Sequence, residues 1–454
     1  MATATVVSTK GARVRESADL ASAIVGELPT GTRVVLGCKS PSHAGRIEVV
    51  EPLRGFLTAR CVREDEGAAG TPCAPGGGAR PPRLFAISDV HADYAENFDW
   101  LRETFRSGGF ANDGLIVAGD VGSSMDTLRR TLALCVKYFA DVAFVVGNHD
   151  LWSERGSPGG GDALAKFDRV MALCVSLGVK TGASLMGGCV VAPILSWHHG
   201  SWDTEPEVTG WRNIPDHTRC MSDFYRCNFG ILSQATDAVA AHFDAANGTL
   251  EADVAALRAE HPAAPLVTFS HFVPRLELVP EKRYLYLPTL NKAVGSDFLR
   301  KRVDRLRPVV HVFGHTHFGW DATLDGVRYL QVGSILLFIV IFIFQGCLAY
   351  PSERERRLST VCASSFPHET GPLLVRDGDG FPPRYQCGWS GYYEHHARTP
   401  EVTHILPDYV ARQYERIEGV GQVGWGEGIR PAWQYGPLSS REHRPNPASK
   451  RSVA

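Results

Sequence analysis

Val142-Ala143-Phe144-Val145-Val146-Gly147-Asn148-His149-Asp150 is an apolar run, rich in β-branched residues, that ends abruptly in a glycine and three polar side chains. A run this short and this apolar suits a strand buried on both faces, with a chain reversal at the Gly-Asn pair. The pattern recurs. Leu84–Ile87 leads into Ser88-Asp89-Val90-His91, Leu115–Ala118 into Gly119-Asp120, Leu266–Phe269 into Ser270-His271, and Val309–Phe313 into Gly314-His315-Thr316-His317. The polar residues therefore collect at strand ends, where an open α/β sheet presents its ligand site.

The segments between the first three runs have room for crossover helices, as parallel pairing requires. Between Asp126 and Ala140, the residues Leu128, Leu132, Leu134, Val136 and Phe139 form a candidate core face, with Asp126 or Thr127 as N-cap. Asp162 to Leu177 offers Leu164, Phe167, Val170, Met171 and Val175 at helical spacing. A sheet with covering helices follows.

Asp, His and Asn offer oxygen and nitrogen donors suited to manganese, iron or zinc. A carboxylate such as Asp120 can bridge two cations, and two cations about 3.5–4 Å apart can clamp the attacking and leaving oxygens of an in-line displacement at phosphorus. A water bound there becomes hydroxide near neutral pH and supplies the nucleophile. Taken singly, each block also reads as a turn, a helix cap or an ordinary histidine. Their order and their common placement at strand ends favour a site.

The five blocks resemble the calcineurin-like metallophosphoesterase family, whose pattern runs Asp-x-His, Gly-Asp, Gly-Asn-His-(Asp or Glu), His and Gly-His-x-His; the match covers roughly Arg83 to Tyr350. The resemblance implies an α/β fold, a four-layer α-β-β-α double-sheet sandwich. It implies two divalent or mixed-valence metal ions, Mn, Fe or Zn. Asp89, His91 and His317 would hold the first, Asn148, His271 and His315 the second, and Asp120 would bridge them. His149 would donate to the phosphoryl oxygens or protonate the leaving oxygen, with Asp150 orienting it. Protein serine/threonine phosphatases in the family look like Gly-Asp-x-Val-Asp-Arg-Gly at the second block, whereas this chain reads Gly119-Asp120-Val121-Gly122-Ser123-Ser124-Met125. The missing Asp-Arg pair points to a small phosphomonoester or phosphodiester substrate rather than a phosphoprotein. The alternative is a catalytically silent scaffold of the same fold. His198 and His199, in Ser196-Trp197-His198-His199-Gly200, either line the pocket or sit on a surface loop, and carry no role.

With 454 residues, 44% hydrophobic and 21% charged, the chain can build a large core and a smaller second unit. A net charge of −2 gives no bulk attraction to nucleic acid or anionic membrane, so neither is expected as a partner. The basic stretch Leu299–Arg307 has Leu299, Val303 and Leu306 interleaved and reads as a helix with a solvated basic face. Eleven scattered cysteines, and a start at Met1-Ala2-Thr3-Ala4-Thr5 without a basic region or long apolar run, suit a reducing, cytoplasmic setting.

Residues 1–63 read as a small all-β barrel, from short runs near Ala12–Arg15, Ile24–Leu28, Thr32–Leu36, Arg46–Val50 and Gly55–Leu57 separated by Pro, Gly and Ser turns. Val25–Thr32 and Gly55–Arg60 resemble a bacterial-type Src-homology-3-like domain, with Phe56 where a Trp is often found. That resemblance implies a peptide or protein partner, or docking to its own chain. A flexible Gly/Pro linker occupies 64–82, and the metallophosphoesterase domain runs over 83–370. Residues 371–454 form a Pro-rich polar tail, partly disordered, with isolated aromatics such as Trp389, Tyr392 and Tyr393 able to wrap onto the domain.

Ile335-Leu336-Leu337-Phe338-Ile339-Val340-Ile341-Phe342-Ile343-Phe344 has no polar residue, yet is shorter than the about 20 residues a spanning helix needs. It directly follows the strand candidate Val327–Val332, and Leu348-Ala349-Tyr350-Pro351 beyond it looks like the turn that relatives place there. Residues 334–345 read as a retained intron in the gene model. A chain lacking that stretch is expected to express more solubly, because an exposed run of this kind aggregates. Transcript reads crossing it without a gap, together with an insoluble deletion variant, would refute the intron.

Overall fold

The computed structural model describes residues 81–153, 161–332, 371–378, 380–385 and 387–417, and seven strand segments between residues 2 and 64. The chain divides into two compact units, Met1–Arg80 and Pro81–Ala454. In the first, strands β1 (Ala2–Val6), β2 (Ala12–Arg15), β3 (Ile24–Leu28), β4 (Arg33–Lys39), β5 (Arg46–Glu51), β6 (Gly55–Thr58) and β7 (Val62–Glu64) form one sheet ordered β3-β2-β6-β5-β4-β1-β7. Every pairing in it is antiparallel. The five runs seen in the sequence are β2 to β6, and β1 and β7 are additional. Closure into a barrel, the linker at 65–80 and the apolar stretch 334–345 rest on residues outside the described ones.

The second unit holds two mixed sheets. In one, β8 (Leu84–Ile87), β9 (Gly114–Val117) and β10 (Asp141–Phe144) are parallel. In the other, β11 (Ser184–Met186), β12 (Cys189–Pro193), β14 (Leu266–Phe269), β15 (Val310–Phe313), β16 (Trp320–Leu324) and β17 (Val327–Gln331) are ordered β11-β12-β14-β15-β17-β16. Its four inner strands are parallel and its two edges antiparallel. All five apolar runs quoted above form strands. Every residue of those strands is buried except Asp141 at the start of β10, as burial on both faces requires.

Alternation along the strands sorts the side chains into two clusters. Leu84, Ala86, Ile116, Ala118, Ala143 and Val145 of the first sheet meet Val191, Val267, Phe269, Val310, Val312 and Leu330 of the second, so the sheets pack face to face. Phe85, Ile87, Leu115, Val117, Val142 and Phe144 point the other way, toward the helices. Each large side chain buried in this way contributes about 1.5–3 kcal/mol.

Helix α1 (Ala95–Gly108) connects β8 to β9, and α2 (Met125–Tyr138) connects β9 to β10. A single turn, α3 (Asn148–Leu151), and then α4 (Ala163–Leu177) follow β10. The cap of α2 is Ser124, whose hydroxyl accepts from the Thr127 N–H, ahead of the expected Asp126 or Thr127. Its buried face is Thr127, Leu128, Thr131, Leu132 and Cys135, while Val136 is exposed. Asp162 caps α4 by accepting from the Leu164 and Ala165 N–H groups, and there Val175 is the residue turned to solvent. Apolar character alone overcounts a helix's core face when a single Val lies one position around from it.

Between β12 and β14 lie the two-residue strand β13 (Trp211–Arg212) and helices α5 (His217–Cys220), α6 (Asp223–Arg226), α7 (Ala238–Ala246) and α8 (Leu250–Glu260). Helix α9 (Asp297–Leu306) buries Leu299, Val303 and Leu306 as expected, but its basic face is only partly solvated. Arg302 is buried; its Nη1 donates to both Glu251 carboxylate oxygens and its Nε pairs with Asp244.

The assignment of everything beyond residue 370 to a tail does not hold for 371–417. Strand β18 (Leu373–Arg376) pairs antiparallel with β8 and becomes the edge of the first sheet. Helix α10 (Gly388–His395) lays Trp389 and Tyr393 against the core, and Tyr393 stacks on Trp320. Strand β19 (Glu415–Arg416) then pairs antiparallel with β13. A strand of two to four residues has no period long enough to read, and β8 lies at the opposite end of the domain in sequence from β18. Leu373 is 4% exposed. Leu373→Ala is expected to cost about 2–5 kcal/mol in urea denaturation; an unchanged midpoint would mean that β18 is dispensable.

Candidate metal centre

The carboxyl ends of β8, β9, β10, β14 and β15 deliver the polar blocks to one place. The turns after β8 and β9 ladder together, with Asp89 N–H donating to Gly119 O at 3.1 Å, His91 N–H to Asp120 O at 3.0 Å and Ala92 N–H to Val121 O at 2.8 Å. Eight described non-glycine residues have positive φ, and five of them are Asp89, His91, Asp120, His315 and His317. Backbone in that region is disfavoured for these residue types and persists where surrounding contacts enforce it. Glycines permit the close approach. A Cβ on Gly147 would lie 2.2 Å from Asp120 Oδ1, and one on Gly314 would lie 2.0 Å from Ser88 Oγ.

Among the described residues, three groups of side chains have ligand atoms within 4.8 Å of one another: Asp89, His91 and His317; His91, Asp120 and His149; and Asp120, His271 and His315. Asp89 Oδ1 is 3.1 Å from His317 Nε2, and both Asp89 oxygens accept from the His315 N–H at 3.1 Å. Asp120 Oδ1 is 3.4 Å from His271 Nε2, while its Oδ2 is 3.9 Å from His91 Nε2 and 3.8 Å from His149 Nε2. Asn148 Oδ1 lies 3.0 Å from His271 Nε2 and 3.1 Å from His315 Nδ1. The structure thus gathers all seven candidate ligands and His149. Asp120 stands between the two outer groups.

These residues fit divalent metal ions. His91 Nε2 is buried without a hydrogen-bond partner, and two buried carboxylates share the space with five imidazoles that supply borderline nitrogen donors. Burial by itself would raise the Asp89 carboxyl, but adjacent His317 brings it down to about 2. Burial opposes protonation of His271, yet the Asp120 charge beside it raises the imidazole to about 9. Burial, with nearby His91, pushes His149 down against the pull of Asp120.

Asp150 does not orient His149. Its Oδ2 accepts from Asp120 N–H at 2.9 Å and Gly147 N–H at 2.8 Å, and its Oδ1 from Val121 N–H at 2.9 Å and Gly122 N–H at 3.1 Å. A carboxylate one position after the imidazole sits on a different side of the turn. Burial and the Asp120 charge push its carboxyl up to about 7 against those four donors.

Three neighbours of the site, His198, Asp223 and Trp152, were given no role from the sequence. His198 and His199 are buried, so the surface-loop alternative falls; His198 Nε2 lies 3.2 Å from Asp223 Oδ2. Asp223, at the start of α6, also accepts from Asn148 Nδ2 at 2.8 Å and Trp152 Nε1 at 2.6 Å. Trp152 stacks on His149 with ring centroids 3.4 Å apart. The apolar run before His198 was a usable signal, whereas Asp223 follows no strand and had none.

Residues 82–319 match the family model of the calcineurin-like phosphoesterases, and the chain belongs to that family. It is 37% identical over 290 residues to the acyl-carrier-protein phosphodiesterase PptH of Mycobacterium tuberculosis, covering 61% of this chain and 80% of that protein. Among solved structures it is similar to the phosphopantetheinyl hydrolase PptH from M. tuberculosis, at 22% identity and TM-score 0.42 over 56% of this chain and 90% of that one. TT1561 of Thermus thermophilus aligns at 11% identity and TM-score 0.31, over 56% and 90%. Among the described residues no helix is long and apolar enough to cross a membrane.

Replacing Asp150 by Asn puts an NH2 group against two of four buried N–H donors. Asp150→Asn is expected to lose at least about 1–3 kcal/mol in urea denaturation. An unaltered midpoint would return Asp150 to the role of orienting His149.

Proposed function

We propose that this phosphoesterase hydrolyses small phosphate esters, phosphodiesters above all, at a dinuclear metal centre. The observation that carries the reading is that the two oxygens of Asp120 face different imidazoles, Oδ2 at 3.9 Å from His91 Nε2 and Oδ1 at 3.4 Å from His271 Nε2. Asp89, His91 and His317 would hold one cation and Asn148, His271 and His315 the other, with Asp120 shared between them. The pair, when bound, supplies positive charge to the phosphoryl oxygens and acidifies the attacking water. His149 is the partly exposed imidazole at the rim of this set, placed to donate a hydrogen bond to a phosphoryl or leaving oxygen. Asp150 keeps the β9 and β10 turns together and so fixes the direction of Asp120. The free, buried thiols of Cys135, Cys174, Cys189, Cys227 and Cys387 support a reducing, cytoplasmic setting. The N-terminal strands support a separate module for a peptide or protein partner.

Identity of 37% to an acyl-carrier-protein phosphodiesterase favours a second reading, in which the phosphodiester is attached to a carrier protein. Manganese- or iron-loaded protein is to be screened against p-nitrophenyl phosphate, bis(p-nitrophenyl) phosphate, phosphopeptides and a phosphopantetheinylated carrier protein. The diester is expected to be hydrolysed and phosphopeptides much more slowly. Release of phosphopantetheine from the carrier establishes the second reading, and a wide preference for phosphopeptides would sink both.

Two variants separate catalysis from metal holding. Asp120→Asn is expected to lower metal content and rate together, because it removes negative charge shared by both cations. His149→Asn is expected to keep its metal while turnover falls by about 10²–10⁴. If His149→Asn retains full activity the mechanism is wrong. If the parent protein loads two metals and hydrolyses nothing, it is a scaffold.

A further inference from the structure

With Asp150 committed to backbone donors, the orientation of His149 has to come from elsewhere. Its ring lies on the Trp152 indole at 3.4 Å, inclined by 26°, and meets the edge of His91 at 4.4 Å. The Trp152 indole is itself tethered: Nε1–H donates to Asp223 Oδ1 at 2.6 Å, and the Arg226 guanidinium lies over the same ring at 4.5 Å. That same Oδ1 accepts from Asn148 Nδ2 at 2.8 Å. Because the amide nitrogen of Asn148 is engaged, its carbonyl oxygen is turned toward His271 and His315.

Asp223 is fully buried and well supported. His198 Nε2 sits at 3.2 Å from Oδ2, and Gln234 Nε2 ties down the backbone carbonyls of Asp223 and Cys227. The α6 turn is further tied to the strand-end loop by Ser153 N–H donating to Arg226 O and Arg226 Nη2 donating to Ser153 O. One carboxylate oxygen from a segment remote in sequence thus serves two groups of the site at once.

We propose that Asp223 is a positioning residue that turns the Asn148 carbonyl toward the metal centre and, through Trp152, sets the plane of the His149 imidazole. This rests on the dinuclear reading above. Such outer hydrogen-bond partners typically account for about 10–100-fold in metal affinity or activity. The arrangement divides the effect into two separable branches, one ending at Asn148 and one at His149.

Manganese binding to the full chain, measured by titration calorimetry, tests the first branch without any need for turnover. Asp223→Ala is expected to weaken Mn2+ binding about 10–100-fold, and Asp223→Asn, which keeps an acceptor oxygen and the volume, much less. In an Asn148→Ala background Asp223→Ala adds no further loss. Near-UV circular dichroism and urea midpoints on each variant show that the fold is intact, and Asp223→Leu, which keeps the volume but removes both acceptor oxygens, carries the same expectation if the Ala variant does not fold.

Turnover tests the second branch. Trp152→Ala is expected to lower kcat about 10-fold with Mn2+ affinity and KM near the parent values, and Trp152→Phe, which keeps a ring beneath His149, recovers most of it. In a His149→Asn background Trp152→Ala has no additional effect, a result that a merely structural tryptophan would not give. Unchanged Mn2+ affinity in whichever of Asp223→Ala and Asp223→Leu folds overturns the proposal whether or not the enzyme turns over. Additive losses for Trp152 and His149 overturn its second branch. A parent protein that binds Mn2+ but hydrolyses nothing instead defeats the catalytic reading, and leaves the calorimetric arm to decide Asp223.

Discussion

The site depends on one buried carboxylate whose oxygens are committed to backbone amides. Asp150 collects the N–H groups of Gly147, Asp120, Val121 and Gly122. Those donors come from the turns after two neighbouring parallel strands, which otherwise have unpaired amides pointing into a crowded interior. Tying them to one carboxyl group brings the β10 turn so close to Asp120 that only glycine fits at position 147. Asp120 is then left with one orientation, its Oδ1 accepting the His149 N–H at 2.9 Å. Everything that uses Asp120 inherits that constraint.

The strand ends add their own restriction. Positive φ at Asp89, His91, Asp120, His315 and His317 bends each turn so that successive side chains converge instead of alternating. Disfavoured backbone of this kind costs on the order of 1–3 kcal/mol per residue, and the face-to-face packing of two buried sheets is what offsets it. The same packing makes the centre rigid, because each turn is anchored to a strand with no exposed face.

Orientation of the site's polar side chains comes from a different region. Asp223 and His198 lie in the segment between β12 and β14 of the second sheet, and they reach the first sheet's turn through Asn148 and Trp152. Burial by itself would raise the Asp223 carboxyl, but the hydrogen bond and charge of His198 hold it down at about 2, so it stays an anion able to accept from both partners. The five strand-end blocks supply the donors, while this connecting segment supplies their aim.

Sequence by itself determined the strands that carry the site and the order of the five polar blocks, because short apolar runs ending in polar residues are a local pattern that needs no partner to be read; the roles expected of the residues within those blocks came from the family resemblance. It also placed α2, α4 and α9 within a residue or two, since helical spacing is local as well. Only the tertiary structure decided that Asp150 serves the backbone, that Asp223 and Trp152 stand behind Asn148 and His149, and that Leu373–Arg376 closes the edge of the first sheet. Each of those depends on which distant segment arrives opposite a given atom. Adjacency in sequence suggested that Asp150 would orient His149, but neighbours on one turn point apart, and the group that meets the imidazole is Trp152, one turn further on.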